Sequence, residues 1–160
     1  MWVVRYAAVL AVLLASTAFA DPTADARAVA DAFGKAVAAG DADAVIALYA
    51  DDARVVWPGA GEAATGKAAI AALVRRELPA LQKAEPTLVS LDAEPVAPGV
   101  LVVVGRWEQG SPGERSEVRI TEVLVRRDGA WKYLVDHASV GAGPPPSRAR
   151  RDDRRHRRER

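Results

Sequence analysis

The stretch GDADAVIALYADDARVVWPG at residues 40–59, followed by TGKAAI at residues 65–70, indicates the fold more clearly than any other part of the chain. Gly40 is a helix-ending residue, and Asp41 can cap a second, shorter helix. Arg54 and the apolar residues Val55 to Trp57 predict a strand, which Pro58 ends because proline donates no hydrogen bond to a sheet. Thr65 then predicts the start of a third helix, so the stretch is interpreted as helix, strand, helix.

Helical spacing of apolar residues extends on both sides of that stretch. The first helix carries one apolar face, formed by Ala26, Val29, Ala30, Phe33 and Val37. The second carries Val45, Leu48 and Tyr49 on one side and is predicted to end in a turn at Asp51 and Asp52. The third is predicted from Lys67 to about Leu81, with Pro79 fraying its last turn.

Beyond the third helix the apolar period changes from helical to alternating. Asp128-Gly129 predicts a tight hairpin in which both central residues have positive φ. Three helices followed by a run of strands indicate an α+β domain with one sheet face packed on the helices. The predicted strands are one around Leu88 and Ser90, then Val100 to Glu108, Glu117 to Arg126 and Ala130 to Val140.

This order of elements, together with LYADDA at residues 48–53, resembles the nuclear transport factor 2-like superfamily, which includes SnoaL-like domains and ketosteroid isomerases. The resemblance covers about residues 24–139. It implies a cone-shaped roll, in which three N-terminal helices pack on a curved, mainly antiparallel sheet and enclose a hydrophobic pocket. It does not identify the ligand, because one fold supports many functions.

The resemblance also excludes ketosteroid isomerase chemistry. That reaction uses an aspartate base, a tyrosine and a protonated aspartic acid. By the resemblance, Trp57 stands at the position of the base, Phe33 at that of the tyrosine and Thr121 at that of the acid. None of the three catalytic residue types is present.

The remaining candidate for pocket chemistry is His137, the one histidine within residues 21–140. Its unperturbed pKa is near neutrality, so it is a candidate general base, with Tyr49, Arg119 and Thr121 as ligand-binding neighbours. Simple strand alternation places His137 on the same face as Trp131, Tyr133 and Val135, and Asp136 on the opposite face. The alternative is a purely structural histidine.

Aromatic residues supply the other candidate ligand contacts. Phe33, Trp57 and Trp107 are expected to line the pocket for a small apolar or aromatic ligand, although each could equally fill the core. No cofactor or metal is predicted, because the chain has no cysteine and this domain has a single histidine. No nucleic acid is expected to bind the domain.

Both ends of the chain differ from the domain at residues 21–140. Residues 1–20 combine Arg5, an apolar run and the small-x-small sequence Ala18-Phe19-Ala20, which predicts a cleaved signal peptide and a periplasmic or secreted protein. Residues 141–160 are rich in proline and then arginine, with eight arginines against three acidic residues. This tail is predicted to be disordered and to contact anionic surfaces weakly.

Apolar residues occur on both faces of the predicted third and fourth strands, which favours a homodimer formed through the sheet. Three functions stay open: an exported small-molecule-binding protein, an isomerase-, dehydratase- or cyclase-type enzyme using His137, or a non-catalytic dimeric interaction module. A cavity of about 300 Å³ or more would favour ligand binding over the interaction module.

Overall fold

The computed structural model describes residues 21–59, 63–110 and 115–141. The predicted signal peptide and basic tail lie outside these residues, apart from Gly141, and stay predictions. None of the helices in the described ranges is long and apolar enough to cross a membrane. The elements are α1 (Pro22–Ala39), α2 (Ala42–Ala47), β1 (Tyr49–Val56), β2 (Ala64–Thr65), α3 (Lys67–Ala84), β3 (Thr87–Ala97), β4 (Val100–Gln109), β5 (Ser116–Arg127) and β6 (Ala130–Val140).

The first helix ends at Gly40 and the second is capped by Asp41, as their sequence predicts. The Asp21 side chain accepts a hydrogen bond from the Thr23 amide at the start of α1, and Gly40 ends this helix with φ 67°. The Asp41 side chain caps α2 by accepting from the Ala44 amide. Satisfying otherwise unpaired amides in this way fixes where each helix begins.

The strand after α2 begins earlier than predicted. Tyr49 belongs to β1 rather than to the helix, because β1 pairs in parallel with β6 and places Tyr49 opposite Tyr133. The predicted turn at Asp51 and Asp52 is therefore wrong: both are exposed residues within β1. Asp51 instead forms a surface ion pair with Lys67 at 2.9 Å.

The third helix begins at Lys67 as predicted, but its capping residue and its C-terminal end differ from the prediction. Thr65 pairs with Arg54 in the short strand β2, and Gly66 precedes the helix without a side-chain cap, so the predicted Thr65 cap is wrong. The helix continues through Pro79 to Ala84. Leu78 and Leu81 pack into the core on either side of Pro79, and this packing outweighs the hydrogen bond that proline removes.

The six strands form one sheet in the order β2-β1-β6-β5-β4-β3, antiparallel everywhere except between β1 and β6. Asp128 and Gly129 join β5 to β6 with φ of 50° and 81°, which confirms the predicted hairpin. The helices pack on one face of the sheet, mainly through α1 on β3 and α3 on β1. This architecture confirms the predicted α+β fold with a curved, mainly antiparallel sheet.

The opposite, outer face of the sheet mixes polar side chains with exposed apolar ones. Val104 in β4, for example, is 57% exposed. Its neighbour across the strands is Thr121, which in turn pairs with His137. A homodimer formed through this face stays a prediction.

Candidate functional site

A cavity of about 210 Å³ lies between the helices and the inner face of the sheet. We call it the aromatic cavity, because four of its lining residues are Phe33, Trp57, Trp107 and Tyr133. The other side chains that line it are aliphatic or acidic, with one amide: Pro58, Glu77, Ala80, Leu81, Ala84, Pro86, Gln109, Val118, Glu122, Asp136 and Ala138.

Phe33 on α1 joins the aromatic residues into one cluster. Its ring centroid lies 6.2 Å from that of Trp57, 6.1 Å from that of Trp107 and 6.4 Å from that of Tyr133, each in an edge-to-face arrangement. Such edge-to-face pairs are favourable because the positive edge of one ring meets the negative face of another. The cluster gives the cavity an aromatic wall built from four separate elements or their ends.

Asp136 on β6 is buried beside this wall, with 5% of its surface exposed. Its Oδ2 atom accepts a hydrogen bond from the Tyr49 hydroxyl at 2.6 Å and another from Trp57 Nε1 at 2.8 Å. Among the described residues no hydrogen bond is found to the other oxygen, Oδ1. Asp136 therefore lines the cavity with one oxygen fixed by the protein and one oxygen available.

Glu122 on β5 is the direct cross-strand neighbour of Asp136 and is equally buried, at 5% exposure. No hydrogen bond to its carboxyl group is found among the described residues. Burial, and then the charge of Asp136, raises the pKa of Glu122 well above its ordinary value. Burial also raises the pKa of Asp136, but the hydrogen bonds from Tyr49 and Trp57 oppose this rise.

These environments make the two carboxyl groups unequal in acidity. A carboxylate that accepts two hydrogen bonds is stabilised in its charged form, whereas a buried carboxyl next to a like charge is stabilised in its neutral form. Asp136 is accordingly the more acidic of the two groups, and Glu122 is the one that holds its proton more firmly.

A β-bulge decides which side chains of β6 reach the cavity. Val123 pairs with Val135, but the next residue, Leu124, pairs with Tyr133, so Leu134 is an extra residue in β6. The inserted residue reverses the alternation that simple strand geometry predicts. Tyr133 and Asp136 consequently share the inner face.

His137 points away from the aromatic cavity. The predictions that His137 shares a face with Tyr133, and that Asp136 lies opposite, are wrong because of this bulge. His137 is exposed, as are Arg119 and Thr121, and none of the three lines the cavity. Arg119 and Thr121 instead line a separate pocket that also includes Val104, and His137 does not line it.

Four of the predicted site residues do come together. Phe33, Trp57 and Trp107 line the cavity, and Tyr49 lies behind it as a hydrogen-bond donor to Asp136. Sequence reasoning missed Tyr133, Glu122 and Asp136. The signal for Glu122 was available, because it interrupts an otherwise apolar strand face formed by Val118, Ile120 and Leu124.

The described residues contain no group of three or more acidic, histidine or cysteine side chains that could hold a metal ion. The chemistry that the site offers therefore comes from the carboxyl pair, the tyrosine hydroxyls and the aromatic rings.

Comparison with known proteins places this geometry in a family. No curated protein matches the chain. Several solved structures are similar to this chain in fold. One is an uncharacterised protein with a cystatin-like fold from Caulobacter vibrioides, with 21% sequence identity and a TM-score of 0.66. The match covers 84% of this chain and 98% of that one. At this level of identity the likeness shows the fold alone.

Two further structures are similar to the same extent. A proposed calcium/calmodulin-dependent protein kinase type II association domain from Thiobacillus denitrificans has 23% identity and a TM-score of 0.64, covering 72% of this chain and 94% of that one. A proposed dehydratase of the nuclear transport factor 2-like family from Streptomyces avermitilis has 16% identity and a TM-score of 0.61, covering 76% and 98%. The SnoaL-like domain family matches residues 26–143. The chain therefore belongs to the SnoaL-like domain family.

Proposed function

We propose that this protein binds a small, largely apolar molecule in the aromatic cavity, with a polar group of the ligand facing Glu122 and Asp136. The observation that carries the proposal is the Glu122 carboxyl group, which is buried, lines the cavity and has no hydrogen-bond partner among the described residues. No fully buried side-chain oxygen of the described residues lacks a partner, so the Glu122 carboxyl group keeps some access to the cavity. A ligand could hydrogen-bond to it there in place of water.

The size of the cavity limits the ligand to about one ring. A volume of about 210 Å³ is below the roughly 300 Å³ at which pockets for drug-sized ligands begin. It is nevertheless larger than the apolar cavity of about 150 Å³ that is sufficient to bind benzene. We therefore expect a single-ring compound with a small polar substituent, or an aliphatic molecule of similar volume.

Binding can be tested through the tryptophans of the cavity wall. Titration with benzyl alcohol should change the fluorescence of Trp57 and Trp107, because both side chains line the cavity. Substituting Ala138→Leu should abolish the change by filling the cavity. Ala130→Leu is a matched control, since Ala130 is an exposed residue on the same strand. Equal responses of the two variants, or no response of the native protein to any single-ring compound, would refute the proposal.

The unequal acidity of Glu122 and Asp136 favours a second candidate, an acid–base enzyme of the isomerase or dehydratase type. An acid and a base whose environments separate their pKa values are the usual partners in proton transfer. Asp136 would act as the base and Glu122 as the acid, in place of His137. A small cyclic ketone such as 2-cyclohexenone, incubated in D₂O, should then exchange its α-protons faster with the native protein than with Asp136→Asn. Equal rates would exclude this candidate.

We propose in addition that the protein is exported and acts as a homodimer. The support is the leader-like sequence at residues 1–20 and the exposed apolar side chains of the outer sheet face, such as Val104. N-terminal sequencing of protein expressed from the full chain should find Asp21 first. Light scattering after gel filtration should give twice the chain mass, and Val104→Lys should lower it to the monomer value.

A further inference from the structure

We infer that the ligand of the aromatic cavity is an organic cation, an alkylammonium or arylalkylammonium ion bound between the Glu122 and Asp136 carboxyl groups and the aromatic wall. This inference rests on the proposed binding function and adds the charge of the ligand to it. Three features of the cavity point to a cation: the signs of its charges, the aromatic composition of its wall and the position of its unpaired oxygens.

The carboxyl groups that line the cavity have no basic residue among them. Glu77, Glu122 and Asp136 line it, whereas none of its described lining residues is a lysine, arginine or histidine. Glu77 forms a 2.7 Å ion pair with Arg76, so it is already paired. Glu122 and Asp136 have no basic partner in any described hydrogen bond or ion pair. Buried charges are normally paired, and here a cationic ligand would supply the missing partner.

The aromatic wall suits the same ligand. A cation within about 6 Å of a ring centroid is attracted by the negative face of the ring, most strongly by tryptophan and then by tyrosine and phenylalanine. The cavity has two tryptophans, one tyrosine and one phenylalanine in its lining. An anionic ligand would meet the carboxylates and the ring faces with repulsion. A neutral ligand would leave the Asp136 charge without compensation.

The unpaired oxygens are placed for an ammonium donor. Tyr49 and Trp57 both bond to Oδ2 of Asp136, which leaves Oδ1 and the Glu122 carboxyl without donors among the described residues. Glu122 and Asp136 are direct cross-strand neighbours, and the β-carbons of such pairs are separated by about 5 Å. An ammonium group carries several N–H donors and can bond to both carboxyl groups at once.

The test compares three probes of nearly equal size and different charge: benzylamine, which is protonated at neutral pH, benzyl alcohol and benzoate. Isothermal titration at pH 7.5 should give benzylamine an affinity at least about tenfold above that of benzyl alcohol, because charge-assisted hydrogen bonds are roughly twice as strong as neutral ones. Benzoate should not bind detectably. Benzyltrimethylammonium then separates the aromatic contribution from the hydrogen bonds, which it cannot donate.

A matched pair of variants locates the effect. Glu122→Gln should lower the affinity for benzylamine more than that for benzyl alcohol, since glutamine keeps the volume of the side chain but cannot form a charge-assisted hydrogen bond to the ammonium group. Glu117→Gln is the control, because Glu117 lies on the same strand but is exposed on the outer face. This control should behave like the native protein.

Proton release gives a second readout that a merely structural Glu122 would not change. A cation that binds beside Glu122 favours its ionised form, so the native protein should release protons on binding and bind benzylamine more tightly as pH rises. The titratable groups near the carboxyl pair are Tyr49 from β1, Tyr133 and, through the sheet, His137 from β6, with Glu77 of α3 also lining the cavity. The proton release should disappear in Glu122→Gln.

The outcomes separate the inference from the binding function on which it rests. If benzyl alcohol binds in the cavity and benzylamine binds no more tightly, the cation inference is wrong and the binding function stands. If neither probe binds and Ala138→Leu changes nothing, both are wrong. A preference for benzylamine that is unchanged in Glu122→Gln also overturns the inference, since the ammonium group would then not bind between the two carboxyl groups.

Discussion

Removing the hydroxyl group of Tyr49 tests the central hydrogen bond of the site. The Tyr49 hydroxyl donates to Oδ2 of Asp136 at 2.6 Å, and both residues are buried. We expect Tyr49→Phe to destabilise the fold because Asp136 keeps its charge but loses one of its two donors. The same change should raise the pKa of Asp136 further, since this hydrogen bond opposes the effect of burial.

The magnitude follows from the kind of bond that is lost. A hydrogen bond to a charged group contributes about 1.5–3 kcal/mol to the free energy of unfolding. The ring is retained, so no cavity is created and no further term is expected from packing. For a domain of this size each kcal/mol corresponds to roughly 4 °C in Tm, so Tm should fall by about 6–12 °C.

Tyr133→Phe is the matched control. The ring of Tyr133 lies 5.2 Å from that of Tyr49 and is also buried, but no hydrogen bond from its hydroxyl is found among the described residues. Its removal should change the free energy of unfolding by less than about 0.5 kcal/mol. Urea denaturation at pH 7.5, followed by tryptophan fluorescence, measures both variants. Equal losses, or a Tyr49→Phe loss below about 0.5 kcal/mol, would refute the assignment of a charged, doubly bonded Asp136.

Three further predictions concern pH, the outer face and the backbone. The pKa of Glu122 is raised on folding, so the native state binds more protons than the unfolded state. The free energy of unfolding should therefore fall as pH rises from the ordinary carboxyl range through this raised pKa. Urea denaturation across pH 4–9 should show that fall in the native protein and in Glu117→Gln, and a smaller fall in Glu122→Gln. If the stability of Glu122→Gln changed with pH in parallel with that of the native protein, the prediction would be contradicted. His137→Ala should leave ligand affinity within about twofold in fluorescence titration, since an exposed side chain on the outer face removes no cavity contact, and a tenfold loss would restore His137 as a site residue. Gly105→Ala should lower the free energy of unfolding by about 1–3 kcal/mol, because a β-carbon there would lie 2.7 Å from the Ser90 carbonyl oxygen. Gly34→Ala in α1 is the control and should leave the melting temperature unchanged or raise it, since its β-carbon would meet only the Trp107 ring at 3.6 Å. Thermal melts measure both variants, and equal melting temperatures would contradict the packing described for Gly105.

Local chemistry allowed much of the fold to be predicted from the sequence. The helix cap at Asp41, the glycine that ends α1 and the Asp128-Gly129 hairpin all act over a few residues, so they can be recognised without the rest of the chain. The same holds for the boundaries of β4, β5 and β6, which the structure changes by at most one residue. Where long-range pairing intervened, as at Tyr49 and Thr65, the predictions were wrong.

The candidate site was predictable only in part, for a physical reason. Aromatic residues at the helix and strand positions that face the core could be identified, and Phe33, Trp57 and Trp107 do line the cavity. The bulge at Leu134 could not be identified from the sequence, because an extra residue in β6 is defined only by its pairing with β5. Because of that one residue, Asp136 rather than His137 lies on the inner face. The sequence by itself thus determined the helices, the strands and the aromatic character of the wall, whereas the register between two strands decided which ionisable groups lie within it.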